Sequence, residues 1–167
     1  MSDLQRAIGA VVLESAYLER VLRTAFSALV GSKYAAVVDS RLMASALIED
    51  CRHVAEVHGG IGVPERAALI ASLRQCESVN RARNRVIHDD WACRPGTVLV
   101  TLPGQRCSRE VTVTAKTVSE LDELAGRIGC AAEQLSAAVA AALGPDSLRI
   151  QDQLRQDLEH DIASDRG

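Results

Sequence analysis

Residues 3–31 read DLQRAIGAVVLESAYLERVLRTAFSALVG. Leu4, Ile8, Val11, Leu18, Leu22, Ala25 and Leu29 recur at alternating four- and three-residue steps once Ser15 is counted as a member of the row. That spacing returns to one helix face every two turns and predicts an amphipathic helix of about 27 residues. Ser2 or Asp3 can cap its start, and Gly31 is placed to close it. A stripe this long packs on another long helix, in the same subunit or in a partner. The first element therefore argues for helices packed on helices.

The same period recurs downstream. Ser32 to Ser40 reads as a short helix or a loop. A second helix is predicted over Arg41–His58, burying Leu42, Ala46, Leu47, Val54 and Val57, with Gly59 and Gly60 ending it. Pro64 sits where a helix accepts proline, in the first turn. The third helix runs from there to about Asp89, with Leu69, Ile70, Leu73, Cys76, Val79, Val86 and Ile87 on its apolar side. After Trp91 the period drops to two. Val98, Val100 and Leu102, then Val111, Val113 and Ala115, alternate with Thr-rich neighbours around Pro103-Gly104. This predicts a β-hairpin over residues 97–117. A lone hairpin is marginal, so it is expected to lie on the bundle with Trp91 as its anchor. Ser119 is predicted to cap a fourth helix to about Leu143, buried through Leu121, Leu124, Ile128, Ala131, Leu135 and Val139 and stopped by Gly144-Pro145. Residues 145–167 read as a charged tail or short helix, with Ser147 as a cap and Leu154, Leu158 and Ile162 amid charges. The fold expected is mainly α: a four-to-five-helix bundle with an inserted hairpin over residues 1–144, followed by the tail.

Composition narrows the function. Hydrophobic residues are 47% and aromatics 2%, so the core is built from Leu, Val, Ile and Ala. The net charge of −3 excludes a globally basic nucleic-acid binder. A nucleic-acid role needs a local patch, which Arg74, Arg81, Arg83 and Arg85 can supply, partly offset by Asp89 and Asp90. The scarcity of aromatics argues against binding single strands by base stacking. Lys33 and Lys116 are the only lysines, an arginine and alanine bias typical of a GC-rich bacterial genome. The five cysteines form no Cys-x-x-Cys pair and follow no secretion signal, which points to reduced thiols in the cytoplasm. Cys51 and His53 lack a second ligand pair, so no metal site is expected. No run approaches the ~18 apolar residues of a membrane span, and no glycine loop cradles a phosphate-bearing cofactor.

The chemistry-bearing stretch is Arg81-Ala82-Arg83-Asn84-Arg85-Val86-Ile87-His88-Asp89-Asp90-Trp91. Histidine moves a proton near neutral pH, its unperturbed pKa being ~6.5. Arginine stays charged and forks onto phosphate. Together they suit phosphodiester chemistry. An arginine separated from a histidine by four to six intervening residues occurs at Arg52 with His58, Arg81 with His88, Arg83 with His88 and Arg155 with His160. Only Arg83 is followed by asparagine, and only that pairing closes a strongly periodic helix. Residues five apart lie ~140° apart on an ideal helix, whereas Asn84 and His88 share a face.

With its helical bundle and its Arg83-Asn84-x-x-x-His88, the chain resembles the HEPN superfamily over roughly residues 3–143; the hairpin departs from the minimal bundle. The resemblance implies a metal-independent endoribonuclease that works by 2′-OH transesterification, without cofactor, as a bacterial toxin or defence component. It implies His88 as general base or acid, Arg83 on the scissile phosphate and Asn84 orienting His88 or bonding the phosphate. Arg81 and Arg85 would hold RNA. It also implies a homodimer whose two motifs face each other across an isologous interface of the first and third helices, with RNA and a cognate antitoxin or other protein as partners. The alternative is a non-catalytic dimerisation or protein-interaction module, comparable to mannitol operon repressor-like proteins. Plainer readings stand beside these. His88 can cap its helix or pair with Asp89 or Asp90. Arg81 and Arg85 can form a solvated face with Glu77. Trp91 can be a packing anchor, His53 and His58 can be structural, and Glu19 can be a surface carboxylate or reach the Arg83 pocket.

Overall fold

The computed structural model of the protein describes residues 3–32, 34–39, 42–88, 90–93, 99–102, 114–144 and 147. At His88 and in the strands it describes the backbone. The elements run α1 Asp3–Val30, α2 Ala35–Asp39, α3 Ala44–Val57, α4 Val63–His88, β1 Asp90–Cys93, β2 Leu99–Leu102, β3 Thr114–Lys116 and α5 Val118–Leu143. Four long helices and one short one answer the expected mainly α bundle. Leu154, Leu158, Ile162 and most of the tail lie outside the described residues.

The first helix forms where its stripe predicts. Ser15 holds its place in the row: it is 4% exposed, and its hydroxyl donates to the Val11 carbonyl at 2.6 Å. That back-bond satisfies the hydroxyl inside a wall of apolar side chains. Gly31 ends the helix at φ +66°, the left-handed conformation glycine adopts without strain, and its N–H donates to the Ser27 carbonyl. α3 starts three residues later than its apolar pattern predicts. The Leu42 carbonyl accepts from the Arg23 guanidinium at 3.1 Å, and Met43 takes the extended cap position. The cap of α5 is also displaced from the expected one. Thr117, not Ser119, caps it: the Thr117 hydroxyl accepts from the Glu120 N–H, and the Glu120 carboxylate accepts from the Thr117 N–H at 2.6 Å. This reciprocal box satisfies two helix-end donors that a cap at Ser119 would leave open.

α1 and α5 pack together along their lengths, α4 packs on α5, and α3 fills the angle between α1 and α4. Arg6 forks onto Asp122 at 2.7 and 3.1 Å, and the Glu14 carboxylate lies against Gly129. Those two pairings advance in step along both chains, so α1 and α5 run parallel. The core of this spine includes Val11, Leu22, Leu121, Ile128 and Leu135, all fully buried. α4 returns antiparallel to α5. Cys76 sits opposite Ala131, and its thiol donates to the Ala131 carbonyl at 3.7 Å, while Arg81 and Arg85, further along α4, share a groove with Arg127.

The β segment lies in the connection between α4 and α5. A simple two-stranded hairpin is not what is seen there. The described residues form a three-stranded antiparallel sheet in the order β1-β2-β3, with Trp91 opposite Thr101 and Val100 opposite Ala115. The additional strand, β1, follows α4 after a single residue, and a third strand gives β2 partners on both edges, which a lone hairpin lacks. Val98, Pro103-Gly104, Val111 and Val113 lie outside the described residues. So does the Trp91 side chain, and with it the expected anchoring contact.

Candidate functional site

α4 carries the site. Its apolar row, Leu69, Leu73 and Cys76, is fully buried. The same heptad spacing then lands on Asn80 and Arg83. Polar groups thus enter the positions that the first half of the helix uses for core packing. Asn80 is 7% exposed. Arg83, 20% exposed, reaches α1 at 3.4 Å from the Glu19 carboxylate, itself 33% exposed. The other arm of the Arg83 guanidinium donates to the Asn84 side-chain carbonyl at 2.9 Å. Its Nε is buried with no hydrogen-bond partner. Two arms of this cation are therefore committed inside the protein, and Glu19 offsets its charge. Of the two readings of Glu19, contact with Arg83 is the one observed. The resemblance implies Arg83 on a phosphate; in the structure Arg83 faces Ser15, Leu18, Glu19 and Ala44 in the angle between α1 and α3.

The opposite faces of α4 open onto two grooves. One, about 250 Å³, lies against α3 and is bordered by Arg52 and Glu49 from α3 and by Glu77, Asn80, Arg81 and Asn84 from α4. The other, about 310 Å³, lies against α5 and is bordered by Arg74, Ser78, Arg81, Arg85 and Arg127. Arg81 and Glu77 stand on the ridge that both grooves share and form an i,i+4 ion pair. The side chain of Arg81 is 71% exposed, so that pair leaves the guanidinium open to solvent. Helical spacing puts position 88 on the stripe of Glu77, Arg81 and Asn84, with Arg83 ~140° away. The His88 side chain lies outside what is described, as does Asp89. The structure thus brings Asn84 and Arg81 to one groove and Arg81 and Arg85 to the other, and turns Arg83 inward behind Asn84.

Two arginines enter the grooves without a sequence signal for a site. Arg52 stands out in the chain only by its spacing to His58. Arg127 belongs to the exposed face of α5 and comes beside α4 only through the antiparallel return. The remaining histidine contact is structural: His58 Nδ1 accepts from the Gly60 N–H at 3.2 Å, and its carbonyl accepts from Arg66 at 2.8 Å. Among the described residues no group of three or more His, Cys, Asp or Glu is placed to hold a metal ion. No described helix is long and apolar enough to cross a membrane. No protein-family model, characterised protein or solved structure matches the chain.

Proposed function

We propose that the protein is a metal-independent endoribonuclease of the HEPN type, acting in the cytoplasm as a bacterial toxin or defence component and working as a homodimer. The observation that carries this reading is the convergence at the end of α4. Helical spacing sets position 88 in line with Arg81 and Asn84, beside grooves that also hold Arg52, Arg85 and Arg127. In the reaction proposed, His88 takes the proton from a ribose 2′-OH. The 2′-oxygen bonds to phosphorus, and the bond from phosphorus to the 5′-oxygen breaks. The leaving 5′-oxygen takes up a proton from a protonated histidine, His88 itself or its copy across the dimer. The products are a 2′,3′-cyclic phosphate and a free 5′-OH. Arg81 and Arg85 hold the phosphates and offset the charge that develops on them. Arg83 acts as a positioning residue. It fixes the carboxamide of Asn84, and Glu19 fixes Arg83.

The test is incubation of the purified protein with mixed-sequence RNA in excess chelator, beside His88→Ala. Cleavage that persists in chelator, leaves cyclic phosphate ends and vanishes in the variant is the expected result. Equal cleavage by both proteins, or none by the wild type, overturns the reading.

A second reading is a dimerising interaction module that binds a cognate antitoxin or another protein and cleaves nothing. It is favoured by the internal pairing of Arg83 and by Leu13, 72% exposed on α1 beside half-exposed Val12. Expression alone separates the two, since a nuclease toxin arrests growth and an adaptor does not.

A further inference from the structure

The ten arginines among the described residues divide into two groups. Six have partners within the protein. Arg6 pairs with Asp122, Arg81 with Glu77, and Arg83 with Glu19. Arg20 lies 5.2 Å over the Tyr17 ring, and Arg23 and Arg66 donate to backbone carbonyls. Arg52, Arg74, Arg85 and Arg127 form no ion pair or hydrogen bond with any described residue. All four of these line the two grooves that flank the α4 ridge.

That distribution concentrates charge. The ridge and its grooves hold five guanidiniums, counting Arg81, against two carboxylates, Glu49 and Glu77. The whole chain is net negative at −3. A cluster in which cations outnumber carboxylates among the described residues, on an acidic protein, is a self-repelling arrangement, and it is relieved by an anion with several charges. The spacing suits an extended one. Arg81 and Arg85 are one helical turn apart, about 6 Å, and Arg74 is about 10 Å from Arg81 along the axis. Arg52 and Arg127 come from different helices on opposite sides, so no single phosphate reaches both. Neither groove is lined by an aromatic side chain. The surface therefore offers charge to a backbone and no platform to a base.

We infer that the two grooves form one saddle over which an RNA strand crosses α4, held by its phosphates and without base selection. Arg52 marks one side of the crossing and Arg74, Arg85 and Arg127 the other; Arg81 stands at the crest. This deepens the ribonuclease reading and takes from it the identity of the polyanion. Because the crest is one turn from Asn84 and lies on the stripe of position 88, the crossing carries the strand past the proposed reacting group.

The test uses a fluorescein-labelled 2′-O-methyl oligoribonucleotide of mixed sequence, which cannot undergo transesterification. Its affinity is measured by anisotropy against salt concentration. Each phosphate contact on a single strand contributes about 0.7 to the slope of log K against log salt. Arg52→Ala and Arg127→Ala are each expected to shallow the slope by about 0.7, and the double variant by about 1.4. Arg127→Lys is expected to retain the slope, and Arg20→Ala, off the saddle, to leave it unchanged. Wild-type slopes are expected to agree between oligonucleotides of unrelated sequence. No binding at low salt, or binding that Arg52→Ala and Arg127→Ala leave unaltered, overturns the inference. So does binding of an acidic protein in place of RNA. Saddle-dependent binding without any cleavage of ordinary RNA overturns the nuclease reading alone. Cleavage by His88 with saddle-independent binding overturns the saddle alone.

Discussion

The two halves of α4 occupy the same kind of position with opposite chemistry. From Leu69 to Cys76 the inward row is apolar and closed against α5; from Asn80 to Arg83 it is polar and faces α1 and α3. Burying a cation costs free energy unless a partner and hydrogen bonds replace its water, and Arg83 keeps one buried nitrogen unpartnered even so. An apolar residue at 83 would continue the core row at lower cost. The first half of the helix packs an apolar inward row, and the second half, while keeping Val79 and Val86 buried, places polar groups in that row.

Substitutions should separate the halves, and the largest effect belongs to the apolar half. Leu69→Ala or Leu73→Ala is expected to cost about 2–5 kcal/mol in urea unfolding, because both side chains are fully buried. A cost below about 1 kcal/mol would mean that this row is loosely packed. In the polar half, Glu19→Ala strands the part-buried Arg83 cation and is expected to cost about 1–3 kcal/mol. Arg83→Met removes the stranded charge as well, so the double variant should recover part of that loss. Strict additivity in the cycle would break the claim that the pair is coupled.

The apolar half also carries a pH signature. Burial pushes the Cys76 thiol up to about 12 from an ordinary value of 9.0. The unfolded chain then releases this proton first. The contribution is fully present below pH 9 and is lost as pH rises through the folded value near 12, at up to about 1.4 kcal/mol per pH unit. Denaturation midpoints between pH 8 and 11 measure it, and Cys76→Ala should flatten that part of the curve. Thiol labelling at pH 8 should modify exposed Cys130 well before buried Cys51 and Cys76. The smallest expected change, about 1 kcal/mol, follows Thr117→Ala, which removes one side of the α5 capping box.

Much of the first half of this comparison was legible in the chain. The rows of α1, α4 and α5 follow from apolar spacing, and Ser15 was recoverable as a core member because its neighbours left one gap in an otherwise regular row. The polar half was not. Reading apolar residues as inside and charged ones as outside leaves Glu19 either on the surface or in the Arg83 pocket, and only the packing of α1 on α4 decides for the contact. β1 escaped notice because no glycine or proline separates it from α4. Arg127 became visible only once α5 was seen to return antiparallel. The Arg83-Asn84-x-x-x-His88 spacing points to the carboxy-terminal end of α4, where Asn84 and Arg85 border the two grooves. It did not reveal that consecutive residues there serve opposite sides of α4.

The parallel pairing of α1 with α5 also sets the timing of biogenesis. α1 leaves the ribosome well before α5, the helix that covers most of it, which begins only at Val118. At ordinary translation speeds its apolar face waits on the order of ten seconds for that cover. Contacts so distant in sequence slow folding and keep a sticky surface open during synthesis. Nascent α1 is thus the segment on which a chaperone would act.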